Sequence, residues 1–181
     1  RYRKVYHRMG IRDFGKSQML SFKMSGKEWH LLSLRKSRYM YACLNSATDT
    51  FQETEIAAAR DYDWCDMALD SIRKSVYVLF RDAKLQEGTL LMKKIPFDGR
   101  GCEEWEIPSP RKDWRLIDAR MAISGKDAFF LGGTWNLDSK RQSVSTYDRG
   151  TETAGMFAMV CAEGKIRKFW GLSYLDYPAI D

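Results

Sequence analysis

A signal made of a basic, an acidic and an aromatic residue recurs along the chain. It reads Arg-Asp-Phe at residues 12–14, Arg-Asp-Tyr at 60–62 with Trp64 just after it, and Lys-Asp-Trp at 112–114. Phe14, Trp64 and Trp114 stand 50 residues apart, and a looser copy ends at Trp170, 56 residues further on. Repetition at a period of roughly 20–50 residues is typical of folds assembled from stacked structural units.

Each unit holds four short apolar segments separated by polar turns. They lie at 19–24, 29–34, 39–44 and 51–56 in the first unit, at 67–70, 76–80, 89–95 and 105–107 in the second, and at 119–123, 128–131, 143–147 and 156–160 in the third. Short segments rich in aromatic and β-branched residues and bounded by Gly, Ser, Asn or Asp predict β-strands. We therefore predict one all-β domain over residues 1–181. Its repeat units are expected at about 14–61, 62–111 and 112–166, with a further strand at 169–176.

Four strands per repeat are compatible with two architectures. A β-propeller arranges four-stranded antiparallel blades around an axis, and a β-trefoil closes three four-stranded repeats. In either case the units must stack, because a lone four-stranded sheet cannot bury its apolar faces. The count of three complete repeats favours the trefoil, whereas the residues inside the repeat favour the propeller.

Residues 117–157 resemble a kelch repeat, the unit of the kelch and galactose-oxidase-like β-propellers. In that family an apolar strand ends in a Gly-Gly pair, and a Tyr-Asp turn and a Trp follow after a variable loop. The matching residues are Gly132-Gly133 and Tyr147-Asp148, whereas Phe157 stands where the family has Trp. Partial copies without the Gly-Gly pair lie at Phe97-Asp98 and Trp105 and at Leu44-Asn45, Thr48 and Phe51. The resemblance implies kelch-like blades of four antiparallel strands. The glycine pair is expected where backbone segments crowd each other.

Two other readings stay open. Residues 146–150, Thr-Tyr-Asp-Arg-Gly, can be read as a degenerate Asp-box turn of the sialidase-like propellers. Three units are also fewer than the four to eight blades of typical propellers. We therefore expect the chain to belong to a longer polypeptide or a larger assembly, and the trefoil is the alternative if it does not.

Charge and cysteine usage constrain the partners and the compartment. The net charge is +6 with a pI near 9.1, and basic residues gather at Arg1, Arg3, Lys4, Arg8 and Arg12 and at Lys165, Arg167 and Lys168. This favours RNA or an acidic protein as partner, although an ordinary basic surface has the same composition. The four cysteines form no paired motif, so we expect reduced thiols and an intracellular location: cytoplasmic, or an organelle if a targeting segment was removed. No apolar run predicts a membrane span.

Few side chains suggest chemistry, so we predict neither an enzyme nor a cofactor or metal site. His30 lies between Trp29 and Leu31 on an alternating strand and is expected to be partly exposed. Glu103 and Glu104 should point to opposite faces of a strand, which prevents them from acting as an acid and base pair. The Gly-Arg-Gly sequence at 99–101 is interpreted as a hairpin turn, because it is too short for a phosphate-binding loop.

The leading functional hypothesis is a non-catalytic interaction or scaffold module whose loops bind a protein partner. We expect the contact at Trp135, Asn136, Asp138, Lys140 and Arg141, in the loop that follows the Gly-Gly pair, with Trp135 as an exposed hot spot. In an equally open alternative, the Trp135 side chain folds back over Gly132-Gly133 and caps the blade. The other hypotheses are a structural, RNA-contacting subunit of a large ribonucleoprotein assembly and a sialidase-like enzyme that processes glycans.

Overall fold

A computed structural model describes residues 17–82, 89–109, 114–125, 128–137 and 154–173. Within these ranges the chain forms twelve β-strands and no helix. The strands are β1 (Ser17–Ser25), β2 (Glu28–Arg35), β3 (Arg38–Asn45), β4 (Thr50–Ala58), β5 (Tyr62–Asp70), β6 (Ser75–Asp82), β7 (Leu90–Pro96), β8 (Glu103–Ile107), β9 (Trp114–Gly125), β10 (Ala128–Leu137), β11 (Ala154–Ala162) and β12 (Lys165–Ser173).

Successive strands pair antiparallel into three four-stranded sheets, in the orders β1-β2-β3-β4, β5-β6-β7-β8 and β9-β10-β11-β12. We call these sheets blades one, two and three. The predicted all-β fold, with four antiparallel strands in each repeat of about 50 residues, is confirmed.

The turn residues explain why the strands reverse where they do. Lys36 and Ser37 form the two-residue turn between β2 and β3, and both have positive φ. Positive φ at both positions gives such a turn a twist that matches the twist of the flanking strands. Gly26 and Gly101 adopt positive φ in the turns that follow β1 and β7. Residues 99–101 therefore form the hairpin turn that the sequence predicted.

The blades pack face to face, with blade two in the middle. Between blades one and two, the rings of Tyr39 and Phe80 lie 5.0 Å apart between centroids. Between blades two and three, Tyr77 and Phe129 meet edge to face at 4.7 Å. The first six residues of β6 are all buried because both of its faces are covered. This explains why residues 76–80 form a continuous apolar run instead of an alternating one.

Hydrogen bonds between blades two and three connect strands β5 and β9. The carboxylate of Asp66 accepts a bond from the backbone N–H of Met121 at 2.9 Å, and Nη1 of Arg120 donates to the carbonyl of Cys65 at 2.5 Å. Strands β5 and β9 belong to different sheets and do not pair with each other. These side-chain bonds therefore supply hydrogen bonds between the two blades. They fix the two blades relative to each other.

The third blade departs from the predicted strand assignment. Its third strand is β11, which contains the segment 156–160 that the sequence placed last. Its fourth strand is β12, whose residues overlap the further strand expected at 169–176. The segment 143–147, predicted to be a strand, lies outside the described residues. The segment 156–160 is the third strand of the described sheet because it pairs with β10 on one side and with β12 on the other.

Candidate functional site

Trp135 is not the exposed contact residue that the sequence predicted. It lies within β10, its side chain is 1% exposed, and its Nε1 donates a hydrogen bond to the carbonyl of Met156 at 3.2 Å. Trp135 has the same strand parity as the buried Phe129 and Leu131, so the alternation already placed it on the core face. Asn136 also belongs to β10, whereas Asp138, Lys140 and Arg141 lie outside the described residues.

The opposite face of blade three carries two large exposed apolar side chains. Phe130 is 54% exposed and Trp170 is 52% exposed. In the strand register Phe130 pairs with Ala122 and Val160, and Trp170 pairs with Ala158, which in turn pairs with Gly132. Two aromatic rings thus stand among small or branched apolar residues, on the face turned away from blade two. We call this surface the open face of blade three.

Basic side chains border the open face. Lys168 is exposed and pairs in register with Val160, so it extends the row that contains Phe130. Lys165 and Arg167 are also exposed on β12, the outermost strand. The basic group at Lys165, Arg167 and Lys168 therefore lies beside the two exposed aromatic rings.

A second surface is a cleft of about 500 Å³ between blades one and two. It opens at the ends of β3 and β7 and beside the turn from β5 to β6. Its lining is mixed polar, charged and apolar, and consists of Glu28, Cys43, Asn45, Thr50, Gln52, Arg73, Lys74, Pro96, Phe97 and Asp98.

Side-chain hydrogen bonds order the turns around the cleft. The Oδ1 atom of Asn45 accepts bonds from the backbone N–H groups of Ala47 and Thr48, and Oδ1 of Asp98 accepts one from Arg100 at 3.0 Å. Asn and Asp favour turns for this reason, since their side chains pair with the backbone two residues on. Short, internally bonded turns therefore adjoin the strand residues that form the rest of the cleft wall.

Two ion pairs neutralise the cations of the cleft. Nζ of Lys74 lies 3.2 Å from Oε2 of Glu28, an ion pair that joins blade two to blade one. Nη1 of Arg73 lies 2.6 Å from Oδ2 of Asp70, whose side chain is only 4% exposed. The ammonium group of Lys74 also lies 5.5 Å from the centre of the Phe97 ring.

His30 is fully buried beside the cleft, so the prediction of a partly exposed histidine is wrong. Its Nδ1 lies 2.8 Å from the hydroxyl of Tyr41, and the Phe97 ring packs against it at 4.0 Å between centroids. Burial lowers the pKa of His30 from 6.5 to about 4, while the nearby charges of Glu28 and Lys74 act in opposite directions. The imidazole is therefore neutral near pH 7, and its Nε2 has no hydrogen-bond partner in the described part of the chain.

The remaining reactive group of the cleft is the thiol of Cys43. Burial, assisted by the charge of Glu28, raises the pKa of Cys43 to about 11, so the thiol stays protonated near neutral pH. A protonated thiol is a poor nucleophile and a poor metal ligand. Over the described ranges no three His, Cys, Asp or Glu side chains come close enough to hold a metal ion.

Glu103 and Glu104 pair with Lys94 and Lys93, respectively, at 3.1 and 3.0 Å, as expected for side chains on opposite faces of β8. The four cysteines are free thiols. No helix in the described ranges is long and apolar enough to cross a membrane.

Comparison with known proteins yields a likeness of fold alone. No protein-family model and no curated protein matches the chain. Among solved structures, an acylaminoacyl peptidase from Pyrococcus horikoshii is similar, with a TM-score of 0.55 and 7% identity over 92% of this chain. The chain spans about a quarter of that structure, 26% of its length. The C-terminal domain of YpeB from Bacillus megaterium, at a TM-score of 0.23 and 9% identity over 95% of this chain and 96% of that domain, is too distant to support an argument.

Proposed function

We propose that this chain is a non-catalytic protein-interaction or scaffold module, and that the open face of blade three is its contact surface. The observation that carries the proposal is the pair Phe130 and Trp170, each more than half exposed on one face of one sheet. Aromatic residues are enriched at the energetically dominant positions of protein interfaces. Exposed contiguous apolar surface on a protein indicates an interaction site.

The packing inside the chain suggests what the open face binds. Each internal interface is formed by the face of one four-stranded sheet against the face of the next, with an aromatic contact such as that of Tyr77 with Phe129. Phe130 and Trp170 offer a comparable aromatic and apolar face. The expected partner presents an apolar sheet face, as the same face of a second copy of this chain does.

The test is light scattering after size exclusion, over a wide range of concentrations. We expect the 181-residue chain to associate, and the double variant Phe130→Ser with Trp170→Ser to be monomeric with an unchanged melting temperature. Ile72→Ser is the matched control, because Ile72 is 90% exposed in a turn of blade two, away from the open face. A wild-type chain that stays monomeric at high concentration contradicts the proposed contact surface.

A second candidate function is contact with RNA, as in a structural subunit of a ribonucleoprotein assembly. The observation that favours it is the position of Lys165, Arg167 and Lys168 next to the exposed ring of Trp170. Cationic and aromatic side chains side by side bind phosphates and stack on bases. Fluorescence anisotropy with a single-stranded oligouridylate separates the two functions. RNA binding should weaken steeply as salt rises, whereas apolar association should not.

The kelch resemblance supports the same proposal without fixing a partner. Kelch-like blades imply a rigid scaffold, and their function is expected on faces and loops. The assignment to that family stays a prediction that rests on the residues of unit three.

A further inference from the structure

Among the described residues, the cleft between blades one and two has one lining carboxylate that forms no ion pair. Lys74 and Arg73 are neutralised by Glu28 and Asp70. Asp98 is exposed at the cleft and accepts a hydrogen bond from the backbone of Arg100, but it forms no ion pair with any described residue. In a chain of net charge +6, this leaves a local acceptor for a positive charge.

The groups around Asp98 suit a long cationic side chain. Pro96 and Phe97 supply apolar contact, which the methylene stem of Lys or Arg needs while its charged end is held by a carboxylate. The ammonium group of Lys74 already lies over the Phe97 ring, 5.5 Å from its centre, so the cation of a bound side chain would pair with Asp98 and not with that ring. The side-chain amides of Asn45 and Gln52 line another part of the cleft and can bond to peptide groups on either side of such a residue.

We propose that the cleft binds a short peptide segment through one basic side chain, whose cation pairs with Asp98. The volume of about 500 Å³ lies within the range of roughly 300–1,000 Å³ that is typical of ligand sites, and holds one long side chain with its flanking peptide groups. This site lies between blades one and two, so it is separate from the open face of blade three. The two proposals can therefore succeed or fail independently.

The experiment is a titration of the 181-residue chain, followed by ¹H–¹⁵N NMR, with the peptide acetyl-Gly-Arg-Gly-amide. The matched probe replaces arginine by citrulline, which has nearly the same shape and no charge. We expect the arginine peptide to shift the side-chain amide signals of Asn45 and Gln52. Its affinity should fall as salt is raised, because the ion pair is partly exposed.

Two variants locate the charge that matters. Asp98→Asn should weaken binding of the arginine peptide about fivefold, the scale of one exposed ion pair, while retaining the turn because Asn accepts the same backbone bond. Glu103→Gln is the control, since Glu103 is exposed in the same blade but pairs with Lys94. Equal affinity for the citrulline peptide, equal affinity in Asp98→Asn, no detectable binding of the arginine peptide, or shifts confined to other parts of the chain would each overturn the proposal.

Discussion

A Cβ atom placed on Gly133 would lie 1.8 Å from the carbonyl oxygen of Asp118 and 2.9 Å from the Cα of Ala119. Both atoms belong to the backbone of β9, where the pairing with β10 shifts register between Thr134 and Trp135. At the neighbouring Gly132 the nearest atom would be the carbonyl oxygen of Phe157, at an ordinary 3.8 Å. The backbone crowding expected for the glycine pair therefore applies to Gly133 alone.

We expect Gly133→Ala to lower the free energy of unfolding by about 2–4 kcal/mol, since backbone atoms must move to admit the methyl group. Gly132→Ala is the matched control and should change it by less than about 1 kcal/mol. Urea denaturation of both variants measures the difference. Equal stabilities for the two variants would show that the register shift relaxes without cost.

The buried imidazole of His30 should make the chain sensitive to mild acid. Because burial lowers its pKa from 6.5 to about 4, the unfolded chain binds this proton more readily than the folded one over that interval. Stability is therefore present above pH 6.5 and is lost as the pH falls toward 4, by up to about 3 kcal/mol. Denaturation curves measured at several pH values should show this loss in the wild type.

The variant His30→Gln serves as the control for that prediction. It keeps a polar side chain near Tyr41 and removes the titrating group, while the carboxylates of both proteins titrate alike. The difference in stability between wild type and variant should therefore change between pH 6.5 and 4. A constant difference over this interval would contradict the neutral, buried state of His30.

Asp66 should matter more to stability than Asp63, which lies on the same strand, β5. Its two carboxylate oxygens accept hydrogen bonds from the backbone N–H groups of Met67 at 2.8 Å and of Met121 at 2.9 Å, the second across to blade three. Asp66→Ala leaves both groups without these partners and should cost about 1–3 kcal/mol. Asp63→Ala, which removes a partly exposed ion pair with Arg81, should cost less, about 1 kcal/mol. Thermal unfolding of the two variants decides the order.

The four thiols should differ sharply in reactivity. Cys102 is exposed, whereas Cys43, Cys65 and Cys161 are buried, and burial raises the pKa of each buried thiol to about 11. Titration with a chromogenic disulfide reagent under native conditions should thus show one fast thiol and three slow ones. Cys102→Ser should abolish the fast phase. If a fast thiol remains in that variant, the reagent must reach a buried cysteine, which would mean that a blade opens readily.

Much of the fold could be predicted from local signals. The hairpin at Gly99 and Gly101 and the continuous apolar run of β6 follow from turn chemistry and strand length, which operate within a few residues. The order of strands in blade three could not be predicted in the same way. A long connection contains apolar residues of its own, and only pairing partners distant in sequence decide which segment joins the sheet.

The candidate surfaces were harder to predict than the fold. Trp135 could have been placed in the core from its parity with Phe129, but its neighbours in sequence suggested a loop. Phe130 and Trp170 are exposed because no sheet among the described residues packs on that face of blade three. No local sequence pattern reveals whether such a sheet is present. Asp98 stays unpaired among the described residues because Glu28 and Asp70 pair with the cations of the cleft. These carboxylates lie on both sides of a blade junction and more than 20 residues from Asp98 in sequence, so no local pattern groups them.

Strand β12 has a consequence for how assemblies of this chain can grow. It is the outermost strand of blade three, and its register with β11 shifts between Val160 and Cys161, which leaves Arg167 opposite no partner residue. Lys165, Arg167 and Lys168 add positive charge along the same strand. An irregular, charged border discourages a foreign strand from continuing the hydrogen-bond ladder, as in fibril formation. The proposed contact at the open face of blade three differs from such growth, because it would add a layer against the flat side of the sheet without lengthening any ladder.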